Sequence, residues 1–201
     1  GLVGWASGLD VVRALGFGGA LLHVLNHGLF KSLLFLGAGA VLHTTHTREM
    51  DLLGGLLKRM PHTGASFLVG SMAISGLPPF NGFVSEFLIF FGALGAIAAG
   101  KSAVLLPAIA VMAGLAMISG LAAACFTKAF GSVFLGESRS EHPRHAADPG
   151  WPMLGPMWAL AGACLAIGLG APWVVARLGG TLLVVRPDLA STLPALLETV
   201  T

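Results

Sequence analysis

Apolar residues along this chain gather into runs of about 20 or more, separated by short polar stretches, the spacing that a hydrocarbon layer ~30 Å thick imposes on helices that cross it. The first run reaches from about Val12 to Leu42 and ends in HTTHTREMD. As a helix it is ~45 Å long, enough to cross with tilt. Residues 51–62 place Lys58 and Arg59 beside leucine pairs and close on Pro61, which predicts a short amphipathic stretch at the membrane surface. Two shorter runs, 63–77 and 83–99, flank the sequence LPPFNG. Each gives only ~22 to 26 Å of helix, so the pattern predicts one crossing over 63–99 that is discontinuous at Pro78, Pro79 and Gly82. The prolines have no N–H for the carbonyls of Ile74 and Ser75, Gly82 relaxes the backbone, and Asn81 is placed to cap the restart. Further spans are predicted at 103–130 and 151–175, with the polar stretch GESRSEHPRHAADPG between them. The tail 176–201, interrupted by Pro187 and Pro194, is expected at the surface. The whole is an all-α, polytopic transmembrane helical bundle forming a single membrane domain over 1–201.

Composition agrees with that class. Apolar residues make up 55% of the chain and charged ones only 10%, far below the roughly 25% charge of soluble domains. The net charge of +2 is scattered over loops and forms no basic stripe, so no nucleic-acid partner is expected. Cys125 and Cys164 lie in separate apolar runs without metal or redox spacing and read as buried thiols. The chain begins at Gly1 with no basic segment ahead of its apolar runs, and is expected to lack an N-terminal part. Arg48, Lys58, Arg59, Lys128, Arg139 and Arg144 collect on one side of the predicted membrane, which puts loops 43–62 and 131–150 in the cytoplasm.

Ionisable groups inside the first apolar run change the picture further. In HVLNHGLFK, His23, His27 and Lys31 recur every four residues and so form one slowly drifting stripe, with ~6 Å between rungs. A charge at mid-membrane costs about 2.5 to 3.5 kcal/mol on the mildest scale. Lys31 is therefore expected to face protein or water, and three groups able to exchange protons suit a relay with waters between them. Two histidines at i and i+4 also suit a metal, but the adjacent lysine and the want of a nearby carboxylate argue against one. Glu86, just past the predicted break, is expected in the first turn of the restarting helix. There the helix N-terminus favours its anion while burial favours its neutral acid, a balance open to proton exchange.

Over HVLNHGLFKSLLFLGAGAVLH, DLLGGLLKRMP and ISGLPPFNGFVSEFLIF, the chain resembles the antiporter-like proton-conducting membrane subunits of complex I, Mrp-type cation antiporters and membrane-bound hydrogenases. KAFGSVFLGESRSEHPRHA and WPM extend the likeness towards the subunits of hydrogenase 4 and formate hydrogenlyase. The resemblance implies a larger bundle with two inverted repeats, each holding a broken helix, of which this chain carries the later part. His23, His27 and Lys31 match the family's HxxxHxxxK helix, and Glu86 matches the ionisable residue of the second broken helix. The implied function is proton translocation within a respiratory NADH:quinone-oxidoreductase-like or hydrogenase complex in a prokaryotic plasma membrane. The chain would be a subunit of an oxidoreductase with no redox centre and no cofactor of its own, since no flavin, iron–sulfur or nicotinamide motif is present. Expected partners are the bilayer, other membrane subunits and a peripheral redox arm, with protons and Na⁺ as candidate cargo. A stand-alone cation/proton antiporter and a passive membrane anchor are the competing readings.

Overall fold

The computed structural model describes residues 1–185 and Asp188. A short helix α1 (Leu2–Ser7) precedes α2 (Asp10–Thr45), whose 36 residues make a rod ~54 Å long. Then come α3 (Pro61–Ile74), α4 (Asn81–Ala98), α5 (Ser102–Phe134), α6 (Trp151–Leu169) and α7 (Ala171–Val185), with no strand among the described residues. By length and composition α2, α4, α5 and α6 can each cross a membrane. The 14-residue α3, ~21 Å, is too short.

The rod α2 organises the bundle. Phe67 and Gly70 of α3 meet Gly37 and Leu34 of α2, and Ala73 clusters with Phe30. Beyond the gap Asn81 meets Asn26, Ser85 approaches Gly19, and Gly92 packs on Leu15. Contacts therefore descend α2 from residue 37 to residue 15 as α3 and then α4 run forward, without doubling back. Gly19 and Gly92 allow the close approach, because a Cβ at either would press on side chains of the facing helix.

The break itself differs from expectation. α3 ends on a Schellman motif: Gly76 takes φ 65°, its N–H reaches the Ala73 carbonyl at 3.2 Å, and the Leu77 N–H reaches the Met72 carbonyl at 3.1 Å. The helix has thus stopped before Pro78, and its last carbonyls are served by backbone. Pro78 and Pro79, joined by a cis peptide bond, lie in the connector. Asn81 is the first helical residue and not the cap, a position held by Phe80. Gly82 lies in the first turn of α4 and not in the break, with the Ala73 carbonyl where a Cβ would stand.

Three other expectations need revision. Pro61 opens α3 instead of closing the preceding segment, since a missing N–H costs nothing at the first helical position. Residues 50–58 form two single 3-10 turns, and Leu53, Leu56 and Met60 turn inward to the main core beside Phe134 and Met157. The predicted span 151–175 is divided at Gly170, and the helix runs on to Val185, well past the expected start of a surface tail. Val175 is buried and Leu178 packs beside it against Ala14, Leu15, Val84 and Leu88. Pro172 does not stop the chain because it sits in the first turn of α7. The rest of the tail, with Pro187 and Pro194, lies outside the described residues. Cys164 is buried as expected, but Cys125 is exposed on α5.

One end of the bundle is laced by its loops. Lys58 pairs with Glu137 at 2.7 Å, Arg139 donates to the Met50 carbonyl, and the Ser140 hydroxyl donates to the Leu52 carbonyl. The Lys58 ammonium holds the exposed Glu137 carboxyl below its ordinary value, so this contact is present near neutrality and is lost as pH falls through that lowered value. Asp148, far along the chain, accepts the N–H groups of His62 and Thr63 at 3.0 and 2.9 Å and the Thr63 hydroxyl at 2.7 Å. It thereby caps α3 from another loop. Asp148→Ala is expected to cost about 1 kcal/mol, read as a lower unfolding midpoint in detergent. An unchanged midpoint would show that water serves those amides equally well.

Candidate functional site

The polar groups of α2 and the start of α4 meet at the level of the break. Asn26, Asn81 and Ser85 are each fully buried at 0% exposure. Burial of amides and hydroxyls is costly unless they are paired, and here they pair with each other. The Asn26 amide donates to the Asn81 carbonyl at 2.7 Å and to Ser85 Oγ at 3.3 Å, and Asn81 Nδ2 donates to Asn26 Oδ1 at 3.1 Å. The Gly82 N–H closes on Asn81 Oδ1 at 3.0 Å. This group joins the middle of the long rod to the first turn of α4.

His23 enters the same group, with Nδ1 3.1 Å from Ser85 Oγ. Its ring lies 6.1 Å from that of His27, and Phe30 stands edge-on to both rings at 6.3 and 5.4 Å. His27 is exposed on α2, while half-buried Lys31 holds its ammonium 5.9 Å from the Phe35 ring centre, a cation–π contact. Of the predicted stripe, then, the structure ties His23 to α4. It leaves His27 and Lys31 at the edge of the exposed face that carries Val24 and Phe35.

Glu86 is 8% exposed and lies in the second turn of α4 and not the first, the helix beginning already at Asn81. Its Oε2 accepts the Ser119 hydroxyl of α5 at 2.8 Å. The carboxylate rests against Gly76, where a Cβ would collide with it. The glycine that terminates α3 is therefore also the space that Glu86 occupies. Adjacent residues of α4 face opposite neighbours: Ser85 turns to α2 and His23, Glu86 to the break and α5.

The second side of the break is covered by α6. A Cβ at Gly168 would strike the Pro79 carbonyl, and Cys164 packs with Phe30, Ala73 and Phe80. Gly170, which divides α6 from α7, thus lies two residues from the connector's contact point. No cluster of His, Cys, Asp or Glu suited to a metal ion occurs among the described residues.

Sequence reasoning singled out His23, His27, Lys31 and Glu86 but missed Asn26 and Ser85 and gave Asn81 only a capping role. The available signal was the presence of two asparagines inside apolar surroundings, one in HVLNHGLFK and one in LPPFNG. Ser119 carried no local signal.

Comparison with known proteins agrees with this architecture. Residues 7–114, more than half of the chain, match the family described as NADH:quinone oxidoreductase/Mrp antiporter, TM. Hydrogenase-4 component B of Escherichia coli (strain K12) is 40% identical over 177 residues, covering 88% of this chain and 26% of that protein. Formate hydrogenlyase subunit 3 of the same strain is 41% identical over 180 residues, covering 89% of this chain and 29% of that protein. The chain thus spans less than a third of the length of either relative. The Mrp complex from Dietzia sp. DQ12-45-1b shares the fold, with a TM-score of 0.72 at 24% identity over 94% of this chain and 41% of that one. With its apolar helices, its organising rod and its matched residues, the chain belongs to the NADH:quinone oxidoreductase/Mrp antiporter transmembrane family and is an antiporter-like, multi-pass membrane protein.

Proposed function

We propose that this chain is part of a proton-translocating membrane subunit of a hydrogenase or NADH:quinone-oxidoreductase-like complex. The observation that carries the reading is the pairing at consecutive positions of α4, where Ser85 holds His23 of α2 and buried Glu86 is held by Ser119 of α5. A passive anchor gains nothing from a carboxylate buried at that depth, which costs stability unless a function retains it. Protons pass between groups on the α2 side (His23, His27, Lys31) and Glu86, with α3 and α4 as the two halves of one interrupted crossing. His27 and Lys31 then face neighbouring helices of the larger subunit. Electron transfer takes place on partner subunits of a peripheral redox arm, and this chain contributes no redox centre.

The loops that carry Arg48, Lys58, Arg59, Arg139 and Arg144 lie at one end of the bundle, and the positive-inside rule places that end, with loops 43–62 and 131–150, in the cytoplasm of a prokaryotic cell. The similarity to hydrogenase-4 and formate hydrogenlyase subunits favours a hydrogenase-type partner.

The test is a pair of substitutions, His23→Gln and Lys31→Met, in the assembled complex in sealed vesicles. Donor-driven proton uptake is expected to fall at least about tenfold, in line with loss of a proton-transfer group, while electron transfer persists in membranes made leaky to protons. Full proton uptake in both variants would remove the path through α2. Proton movement driven by a Na⁺ gradient without any electron donor would point instead to a stand-alone antiporter.

A further inference from the structure

The hydrogen bonds around His23 have a direction, and the backbone sets it. The Asn81 carbonyl can only accept and the Gly82 N–H can only donate. The side-chain atom of Asn26 that lies 2.7 Å from the Asn81 carbonyl must therefore be its NH₂, and the side-chain atom of Asn81 that lies 3.0 Å from the Gly82 N–H must be its oxygen. The remaining contact, from Asn81 Nδ2 to Asn26 Oδ1 at 3.1 Å, agrees with both assignments. Turning either amide over would set two acceptors or two donors face to face.

With the Asn26 amide so fixed, its NH₂ also donates to Ser85 Oγ at 3.3 Å. The Ser85 hydroxyl has one proton and two acceptor positions. It donates that proton to the Gly82 carbonyl at 3.0 Å and accepts from Asn26 with one lone pair. Only a lone pair is left for the third contact, 3.1 Å to His23 Nδ1. All six contacts at Ser85 and the Asn pair are met together only when the histidine donates. The donated hydrogen bond of one ring nitrogen decides which tautomer is present.

We propose that Ser85 is a positioning residue that holds the proton of neutral His23 on Nδ1 and leaves Nε2 as the ring's only proton acceptor. The assignment deepens the reading of His23 as a proton-exchanging group and rests on it for its functional meaning. A proton reaching the ring binds at Nε2. The ring can release a proton to Ser85 only if the hydroxyl passes its own proton on, and that proton is directed to the Gly82 carbonyl, an amide oxygen that does not take up a proton near neutral pH, so the exchange favours the Nε2 side, away from the Asn pair. Path direction would thus be written by Ser85 near the start of α4.

The experiment uses the intact complex in lipid with ring-¹⁵N histidine, at a pH where the ring is neutral, the His23 signal being identified by its loss in His23→Gln. The expected spectrum shows protonated Nδ1 and unprotonated Nε2. Ser85→Ala should convert it to a mixture of tautomers, and Ser85→Thr, which keeps the hydroxyl, should restore the wild-type pattern. A wild-type ring carrying its proton on Nε2 overturns the proposal, as does a Ser85→Ala ring identical with wild type. The wild-type spectrum decides even where Ser85→Ala fails to assemble. If the tautomer is as stated but His23→Gln leaves proton uptake intact, the proton-path reading fails and the role of Ser85 in fixing the ring stands.

Discussion

Glu86→Gln is expected to lower proton translocation by the intact complex at least about tenfold while assembly and uncoupled electron transfer remain at wild-type levels. The amide keeps the shape of the carboxylate, still accepts the Ser119 hydroxyl and still fits against Gly76, so packing at the break is preserved. What disappears is the ability to bind and release a proton, and loss of such a group typically costs 10²- to 10⁴-fold in a step limited by it. Glu86→Asp should retain part of the flux, with the shorter side chain reaching Ser119 less well. Measuring proton uptake and donor oxidation on the same vesicles separates the two effects. Proton uptake at the wild-type rate in the Gln variant would make Glu86 a structural residue and move the path elsewhere.

The second large effect is expected from Gly168→Ala. The added Cβ would meet the Pro79 carbonyl and the backbone of Phe80, neither of which is the movable end of a flexible side chain. Hence α6 must back away from the connector, or the connector must shift and disturb Phe80, Ala73 and Cys164, which pack together there. Overpacking of this kind costs about 1 to 3 kcal/mol, seen as a lower unfolding midpoint of the complex in detergent. Gly162→Ala supplies the control, since nothing lies within 4 Å of its added Cβ, and there better helix propensity should leave stability equal or higher. Equal midpoints for the two variants would show that α6 does not bear on the break.

The extents of α2, α4 and α5 followed closely from the apolar runs, because a bilayer demands length and hydrophobicity and both are local properties of the sequence. The polar stripe was legible for the same reason: His23, His27 and Lys31 stand out against oil. The end of α3 was misassigned because two prolines drew the eye from Gly76, although a glycine followed shortly by proline is itself a helix-stop signal. Other features were beyond local reading. Asn26 and Asn81 are 55 positions apart, and Asp148 and Thr63 are 85 apart. A lone asparagine or aspartate resembles a cap until its partner is known. The partner of Glu86 on α5 depends on how the helices rotate, which the low amphipathicity of these nearly uniformly apolar segments does not determine.

The cap on α3 also bears on the order in which the molecule is made. The short helix emerges during synthesis with its leading amides open, and the aspartate that closes them arrives only after 85 further positions, once α4 and α5 have been threaded. Until then α3 has neither the length to cross alone nor a finished first turn, and it depends on α2, already in place, for shelter from lipid. Synthesis therefore delivers α2, α4 and α5 before the residue that completes the first turn of α3.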